Sequence, residues 1–296
     1  MSGAAAFLMR DWWWPFEDVA VFRVQAVVTL VACGVYWVFR KRWWLAVLMF
    51  LLSVPPAVSL LPLYAERSIE TPVGAERVRL VLANVRTSNR QYSQLVNYIR
   101  KVNPDVVVLL EVNDAWLDAL APLRDQYPHQ VRRARDDNFG IAILSRLVPV
   151  ETNVISLAAG SGPAALIRVR SSDSGPDITI IGAHLFPPVS SFGTIQRDLQ
   201  AASLARLAAA SGQRVAVLVD LNMVDSCSAF ERLLSVGKLR DSRLGFGIQA
   251  TWPVQLPFLL IPIDHVLVGS GIRVLHREVG PCLGSDHFPV QIELAF

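Results

Sequence analysis

The chain predicts an α/β domain behind an N-terminal hairpin of two membrane-spanning helices. Three observations carry this expectation. Residues 1–65 hold two long apolar runs and six of the chain's eight Trp. From Val78 onward, short β-branched runs alternate with stretches of helical periodicity. Polar groups able to do chemistry fall at the ends of the strand-like runs: Asn84, Glu111, His184, Asp220 and Asn222.

The mean hydropathy of +0.38 is high for a water-soluble protein, and the excess sits at the front. Val19 to Phe39 is apolar except for Arg23 and Gln25 near one end. At 1.5 Å rise per residue it spans roughly 30 Å, the thickness of a bilayer's hydrocarbon core. Arg23 is placed to snorkel toward the headgroups. Trp43 to Tyr64 carries no charge and is broken by Pro55-Pro56. The Trp12-Trp13-Trp14 cluster suits the interface, where indole rings accumulate. A cleaved signal peptide fits poorly, because no basic region opens the chain and the first run is too long. The basic link Arg40-Lys41-Arg42 faces the cytoplasm by the positive-inside rule. This makes the chain a multi-pass protein of the cell membrane, with everything after Tyr64 extracytoplasmic.

Residues 66–77 read as a polar linker with Pro72 and Gly74, and residues 78–296 as the soluble domain. Of the chain's net charge of +3, residues 1–65 supply +2, from five Lys/Arg and three Asp/Glu. The remainder is close to neutral and offers no overall basic footprint for nucleic acid.

Val78–Ala83 is strand-like and ends at Asn84. Tyr92, Leu95, Val96, Ile99 and Val102 recur at helical spacing, and Pro104 ends that helix. Asp105–Leu110 is a buried-type strand ending at Glu111. A right-handed crossover makes these two strands parallel, so their carboxyl ends share one sheet edge. Open α/β sheets place their ligands at that edge. Asp177–Ala183 ends at His184; a helix fits 192–210; Arg214–Val219 ends at Asp220. Two further segments, Ile263-Asp264-His265-Val266 and Gly284-Ser285-Asp286-His287-Phe288-Pro289-Val290, each put an Asp-His pair at a strand start. If the closing strand is antiparallel, His287 arrives at the same edge.

Each residue has a plain structural role beside the chemical one. Glu111 can simply turn the chain toward solvent; as a hard oxygen ligand it suits Mg²⁺ or Mn²⁺. Asn84 can form a turn, or orient a ligand or its water. His184 can be a structural hydrogen bonder or a donor to phosphate. Asp220 and Asn222, two apart, share a face and can hold and deprotonate a water. Asn138 leads a Gly-containing strand that reads equally well as core.

Taken in order, Asn84-Val85, Leu110-Glu111, Asn138-Phe139-Gly140-Ile141-Ala142-Ile143-Leu144-Ser145-Arg146, Ala183-His184-Leu185, Asp220-Leu221-Asn222, Thr251-Trp252-Pro253, Ile263-Asp264-His265-Val266 and Gly284-Ser285-Asp286-His287-Phe288-Pro289-Val290 resemble the endonuclease/exonuclease/phosphatase superfamily, the DNase I-like fold. They resemble in particular its bacterial members that carry membrane helices. The resemblance implies a four-layer α/β sandwich and hydrolysis of a phosphate ester by metal-activated water. It implies Glu111 as metal ligand, with Asn84 and Asp286 near the metal. Asp220 takes the position that orients or deprotonates the water, and Asn222 and His184 take phosphate-contacting positions. His287 takes the phosphate-binding or acid position with Asp264 as its carboxylate partner, and Asn138 lines the cleft. Two departures stand out. Val219-Asp220-Leu221-Asn222 replaces the usual Gly-Asp-Phe-Asn, and Leu110 stands where Gln is common.

The leading expectation is therefore a membrane-anchored phosphoesterase acting on a small or lipid-linked ester. An extracytoplasmic nuclease and a non-catalytic binding module on the same fold are the alternatives. An oxidising compartment would permit a Cys227–Cys282 bridge, though two separate thiols are the simpler expectation.

Overall fold

The computed structural model describes residues 21–65, 74–171 and 175–296. The Trp12–Trp14 cluster and most of the 66–77 linker lie outside them. The first helix, α1, runs Arg23–Phe39 and the second, α2, Trp43–Leu60, extended by a 3₁₀ turn at Leu61–Leu63. They pack as a hairpin in which Gly34 has no side chain to meet the Phe50 ring. Among the described residues, only Trp43–Leu63 is long and apolar enough to cross a membrane by length and composition; Arg23–Phe39 is apolar but shorter. Two expectations change here. Pro55 and Pro56 sit inside α2 without ending it. Arg23 does not snorkel but is buried in an ion pair with Asp225 of the α/β domain.

Among the described residues, twelve strands form two six-stranded sheets. The first holds β1 (Arg77–Asn84), β2 (Val106–Leu110), β3 (His129–Arg133), β4 (Ile141–Ser145), β11 (Arg273–Val279) and β12 (Val290–Ala295). The second holds β5 (Pro149–Ser156), β6 (Pro163–Arg170), β7 (Asp177–His184), β8 (Val215–Asp220), β9 (Leu239–Asp241) and β10 (Asp264–Gly269). Leu80, Leu82, Val108 and Ile143 of the first sheet pack with Ile167, Ile180, Leu218 and Val266 of the second. Alternate residues face outward: Val81, Val107 and Leu109 pack under α3 (Tyr92–Val102) and α4 (Asp114–Ala119). Val217 and Val219 pack under α5 (Ser191–Ala210) and α6 (Ser228–Gly237). Strands buried on both faces must be apolar throughout, which explains a run such as Val-Val-Val-Leu-Leu in β2. The result is a two-sheet sandwich with helices outside, the layering that the family resemblance implies.

Register brings the polar ends together. β1 and β2 are parallel with Asn84 opposite Leu110, so Glu111 lies one residue past its neighbour's end. β12 is antiparallel to β1 with Leu82 opposite Val290, so the segment before it returns to the same edge. In the second sheet, β7 and β8 are parallel with His184 opposite Asp220, and β10 is antiparallel with Asp264 opposite Asp220. His184, Asp220 and Asp264 thus form one row across three neighbouring strands.

One backbone approach sets the turn that presents Glu111. Glu111 adopts φ 62°, in the left-handed region. Val112 then donates to the Gly140 carbonyl at 3.1 Å and accepts from the Arg135 N–H at 3.0 Å. A Cβ on Gly140 would stand 1.7 Å from the Val112 carbonyl oxygen. Gly140→Ala is therefore expected to lower the unfolding free energy by roughly 3 kcal/mol, measured by urea titration. A loss under about 0.5 kcal/mol, the range of neutral surface changes, would contradict that close approach.

Candidate active site

Asn84 is the link between the sheets. Its side-chain N–H₂ donates to Glu111 Oε1 at 2.9 Å and to Asp220 Oδ2 at 3.1 Å. Its own Oδ1 accepts from the Arg86 N–H at 3.1 Å. Glu111 takes further donors from Thr87, whose N–H reaches Oε2 at 3.3 Å. Ser285 ties in the last strand: its hydroxyl donates to the Asn84 carbonyl at 2.7 Å and accepts from the His287 N–H at 3.2 Å.

His287 Nδ1–H donates to Asp264 Oδ2 at 2.9 Å, and Asp220 Oδ2 is 3.8 Å from the same nitrogen. Burial alone would push the imidazole toward its neutral form. The charge and hydrogen bond of Asp264, with Asp220 and Asp286 behind, outweigh this and raise it to about 10. Burial would raise the Asp264 carboxyl, but the His287 charge and hydrogen bond hold it below its ordinary value. Asp220 goes the other way: burial first, then the nearby Asp264 charge, raise it.

His184 donates from Nδ1 to the Asn138 carbonyl at 3.0 Å. A carbonyl can only accept, so Nε2 carries the lone pair in the neutral ring. That nitrogen accepts from the Asn222 side-chain N–H₂ at 3.2 Å and lies 3.5 Å from Asp220 Oδ2. Asn222 also donates to the Leu185 carbonyl at 2.9 Å, and its backbone N–H holds Asp220 Oδ1 at 3.0 Å. In this arrangement Asn222 positions Asp220 and His184. Asn138 contributes its backbone carbonyl, and its side chain is exposed. Asp286 is half-buried with Arg86 Nε 3.8 Å away, at the mouth of the cleft.

The structure therefore brings Asn84, Glu111, His184, Asp220, Asn222, Asp264 and His287 into one connected set, with Asp286 at its rim. The donor set suits a divalent cation. Glu111 is held by neutral N–H donors alone. Counting Glu111, Asp264 and Asp286 against His287 and Arg86 leaves one uncompensated negative charge, and Asp220 adds a second when it ionises. Asp220, Asp264 and His287 also offer ligand atoms that all lie within 4.8 Å of one another. The Asp264–His287 hydrogen bond uses two of those atoms, so Glu111 at the cleft mouth is the more available hard ligand.

Sequence reasoning missed the layer behind the site. Arg277 is buried, donates to Ser242, to Gln249 Oε1 at 2.6 Å and toward the Asp264 carbonyl, and burial lowers it to about 9. Thr251 Oγ1 accepts from the Asp264 N–H at 3.3 Å. Arg243, fully buried, forks onto Asp241 and reaches Asp225 at 3.0 Å. Only the close spacing of Asp241-Ser242-Arg243 hints at such a fork in the sequence. Of the cysteines, Cys227 is buried and Cys282 exposed, and neither is in a disulfide.

A cleft of carboxylates, amides and an imidazolium at the strand-end edge of a two-sheet sandwich matches a class of proteins whose members hydrolyse phosphoester bonds. The chain belongs to the Endonuclease/Exonuclease/phosphatase family, whose profile matches residues 81–287. Comparison of the sequence with curated proteins finds no match. Solved structures share the fold. The family protein of Bacteroides vulgatus is 20% identical with a TM-score of 0.62, over 74% of this chain and 98% of that one. D. rerio TDP2, crystallised with a single-strand DNA product, is 17% identical with a TM-score of 0.61, over 74% and 98%. A mannosyl-6-phosphatase of Bacteroides thetaiotaomicron is 17% identical with a TM-score of 0.59, over 74% and 100%.

His265, next in sequence to Asp264, points to the opposite face. It is fully buried against Phe230, donates to the Met223 carbonyl at 3.0 Å, and its Nδ1 has no partner. Burial, with Arg243 nearby, lowers it to about 4, against about 6.5 in an unfolded chain. The folded state therefore refuses a proton that the unfolded state takes up. Stability should fall as pH drops from about 6.5 to about 4, by roughly 3 kcal/mol from this group. Urea unfolding of the wild type and His265→Gln across that window checks this. The variant's slope should be shallower, and identical slopes would show that His265 does not titrate this way.

Proposed function

We propose that this chain is a membrane-anchored, divalent-metal-dependent phosphoesterase whose catalytic domain lies on the extracytoplasmic side. The observation that carries the catalytic half is Asn84, whose one N–H₂ group holds Glu111 and Asp220 together across the two sheets. The anchoring half is supported by the apolar α1–α2 hairpin and its basic Arg40-Lys41-Arg42 turn.

Glu111 would hold Mg²⁺ or Mn²⁺, with Asn84 as its orienting neighbour and Asp286 at the rim. The bound ion offsets phosphate charge and acidifies water. The chain's own groups do the rest. Asp220 is raised toward neutrality and fixed at both oxygens, which suits a base that takes a proton from the attacking water. His287, held charged by Asp264, donates from its second ring nitrogen to a phosphate or leaving-group oxygen. His184, turned by Asn138 and Asn222, lines the same phosphate position. Donors already fixed in place need no reorganisation as charge develops on the phosphate oxygens.

The retained polar set speaks for an enzyme rather than a binding module. The substrate favoured is a small or lipid-linked phosphoester, because an anchor concentrates the domain near membrane-borne esters. The D. rerio TDP2 likeness supports a nuclease as the second reading. Turnover by the reconstituted full chain should be tested on phospholipid, inositol phosphate, aryl phosphodiester, DNA and RNA substrates with Mg²⁺. Chelator should abolish activity, and Glu111→Gln should lose at least about 100-fold, the usual scale for a lost transition-state contact, while melting normally. Full activity of either would sink the metal assignment. Exclusive cutting of DNA would promote the nuclease.

Topology is tested separately. A reporter that works only in the cytoplasm, fused after Phe296, should stay silent when the chain is expressed in bacteria. A bright signal would reverse the orientation.

A further inference from the structure

The stretch from Thr251 to Ile263 contains no charged residue, yet its middle is open to solvent: Leu256 is 43% and Phe258 68% exposed. Both ends of this loop are tied to named places. At its root the Val254 N–H donates to the Asp286 carbonyl at 2.9 Å, and the Phe288 N–H donates to the Thr251 carbonyl at 2.9 Å. The Trp252 ring lies 6.4 Å from the His287 ring, centroid to centroid. At its far end the Leu260 carbonyl accepts from Gln25 Nε2 of α1 at 3.1 Å. The loop therefore bridges the catalytic segment and the first turn of the hairpin.

The hairpin's other open end is also seated on the domain. The Leu63 carbonyl accepts from the Gly245 and Gly247 N–H groups at 3.0 and 2.8 Å. Gly247, at φ 87°, approaches the Tyr64 ring closely enough that a Cβ would lie 3.3 Å from it. Arg23 pairs with Asp225, which Arg243 holds from the domain side. Two attachments, one on each helix at the hairpin's open end, restrain its tilt against the domain, where one attachment would leave a swivel. The basic turn Arg40–Arg42 is then the end remote from the domain.

We propose that the 251–263 loop dips Leu256 and Phe258 into the bilayer surface beside the point where α1 enters it. The catalytic cleft is thereby pressed against the membrane, and its substrate is a phosphoester carried by a lipid in that same bilayer. This rests on the membrane anchoring proposed above. The physical case is adjacency. An exposed Leu and Phe gain by leaving water, lipid is the apolar phase next to α1, and the other end of the loop touches the catalytic segment.

The test uses the full chain in vesicles of phosphatidylcholine and phosphatidylglycerol. Phe258→Cys, in a Cys33→Ser/Cys282→Ser background, is labelled with bimane, and emission is quenched either by nitroxide-labelled lipid or by aqueous iodide. Leu51→Cys on the outer face of α2 reports anchoring itself, and Val148→Cys, far from the cleft edge, reports solvent. The label at 258 should lose about half its emission to nitroxide lipid and little to iodide, as at 51, while 148 shows the reverse. Lipid quenching at 51 with iodide quenching at 258 overturns the inference and leaves the anchor standing. Protection of 258 from both quenchers marks a contact between chains and also overturns it. No lipid quenching at 51 overturns the anchoring itself. A second arm asks what the contact does. Leu256→Ser/Phe258→Ser should cut turnover of a vesicle-borne lipid phosphoester about tenfold and change turnover of a soluble aryl phosphodiester less than twofold. An equal loss on both would mean that the loop shapes the cleft rather than meeting the bilayer.

Discussion

The site exists because one amide reaches across a sandwich. Asn84 ends β1 in the first sheet, and its partner Asp220 ends β8 in the second. Every other group takes its place from those two strands. Glu111 follows the strand parallel to β1, His184 ends the strand parallel to β8, and Asp264 starts the strand antiparallel to β8. The sheets can hold this bond only while the apolar layer between them is closed, so the fold's packing and the site's geometry are one constraint. Gly140 serves it directly, by letting the chain after Glu111 lie against β4's lead-in without a side chain between.

That constraint also explains the charge arrangement. Asp220 and Asp264 face each other in register, and two buried carboxylates so close cannot both ionise freely. His287 resolves the conflict by taking the side of Asp264, with which it shares a short hydrogen bond, leaving Asp220 raised. Two like groups are thus driven to opposite roles by which of them has the imidazolium. Behind them, Arg277 and Thr251 reach the backbone of Asp264, and the Thr251 hydroxyl also helps His287 keep the Asp264 carboxyl low.

Much of this was legible in the sequence because it follows from strand ends. A parallel crossover puts carboxyl ends on one edge, so Asn84, Glu111, His184 and Asp220 could be read together from local patterns. The parity of a strand separates His265 from Asp264, though nothing local says which face is the cleft. What stayed hidden depends on distant partners. Arg23 looked like a residue that would seek headgroups, yet Asp225, some two hundred positions away, gives it a better partner. Arg243 and Arg277 look like surface cations, and only the fold shows that they are buried with their acceptors. The hairpin of β5 and β6 was invisible for another reason. Pro149–Ser156 is mostly exposed and carries no clean alternation, so its strand character comes from pairing with β6.

The buried cations show how the two halves of the chain depend on each other. Arg243 lies between Asp241 and Asp225, and burial would disfavour all three charges if each stood alone. Together they compensate: Arg243 holds Asp241 down to about 2 and, with Arg23, keeps Asp225 below its ordinary value. Removing one member of such a set leaves a buried charge without its counter-ion, which costs far more than the pair contributes when intact. Without Arg23, Asp225 would still have Arg243, but Arg243 would then serve two carboxylates alone. The first helix is in this sense part of the α/β domain's electrostatics. A hairpin added only as a tether would not need to supply a counter-ion to the core, and this one does so three residues past Asn222, on the loop that leaves the strand ending at Asp220.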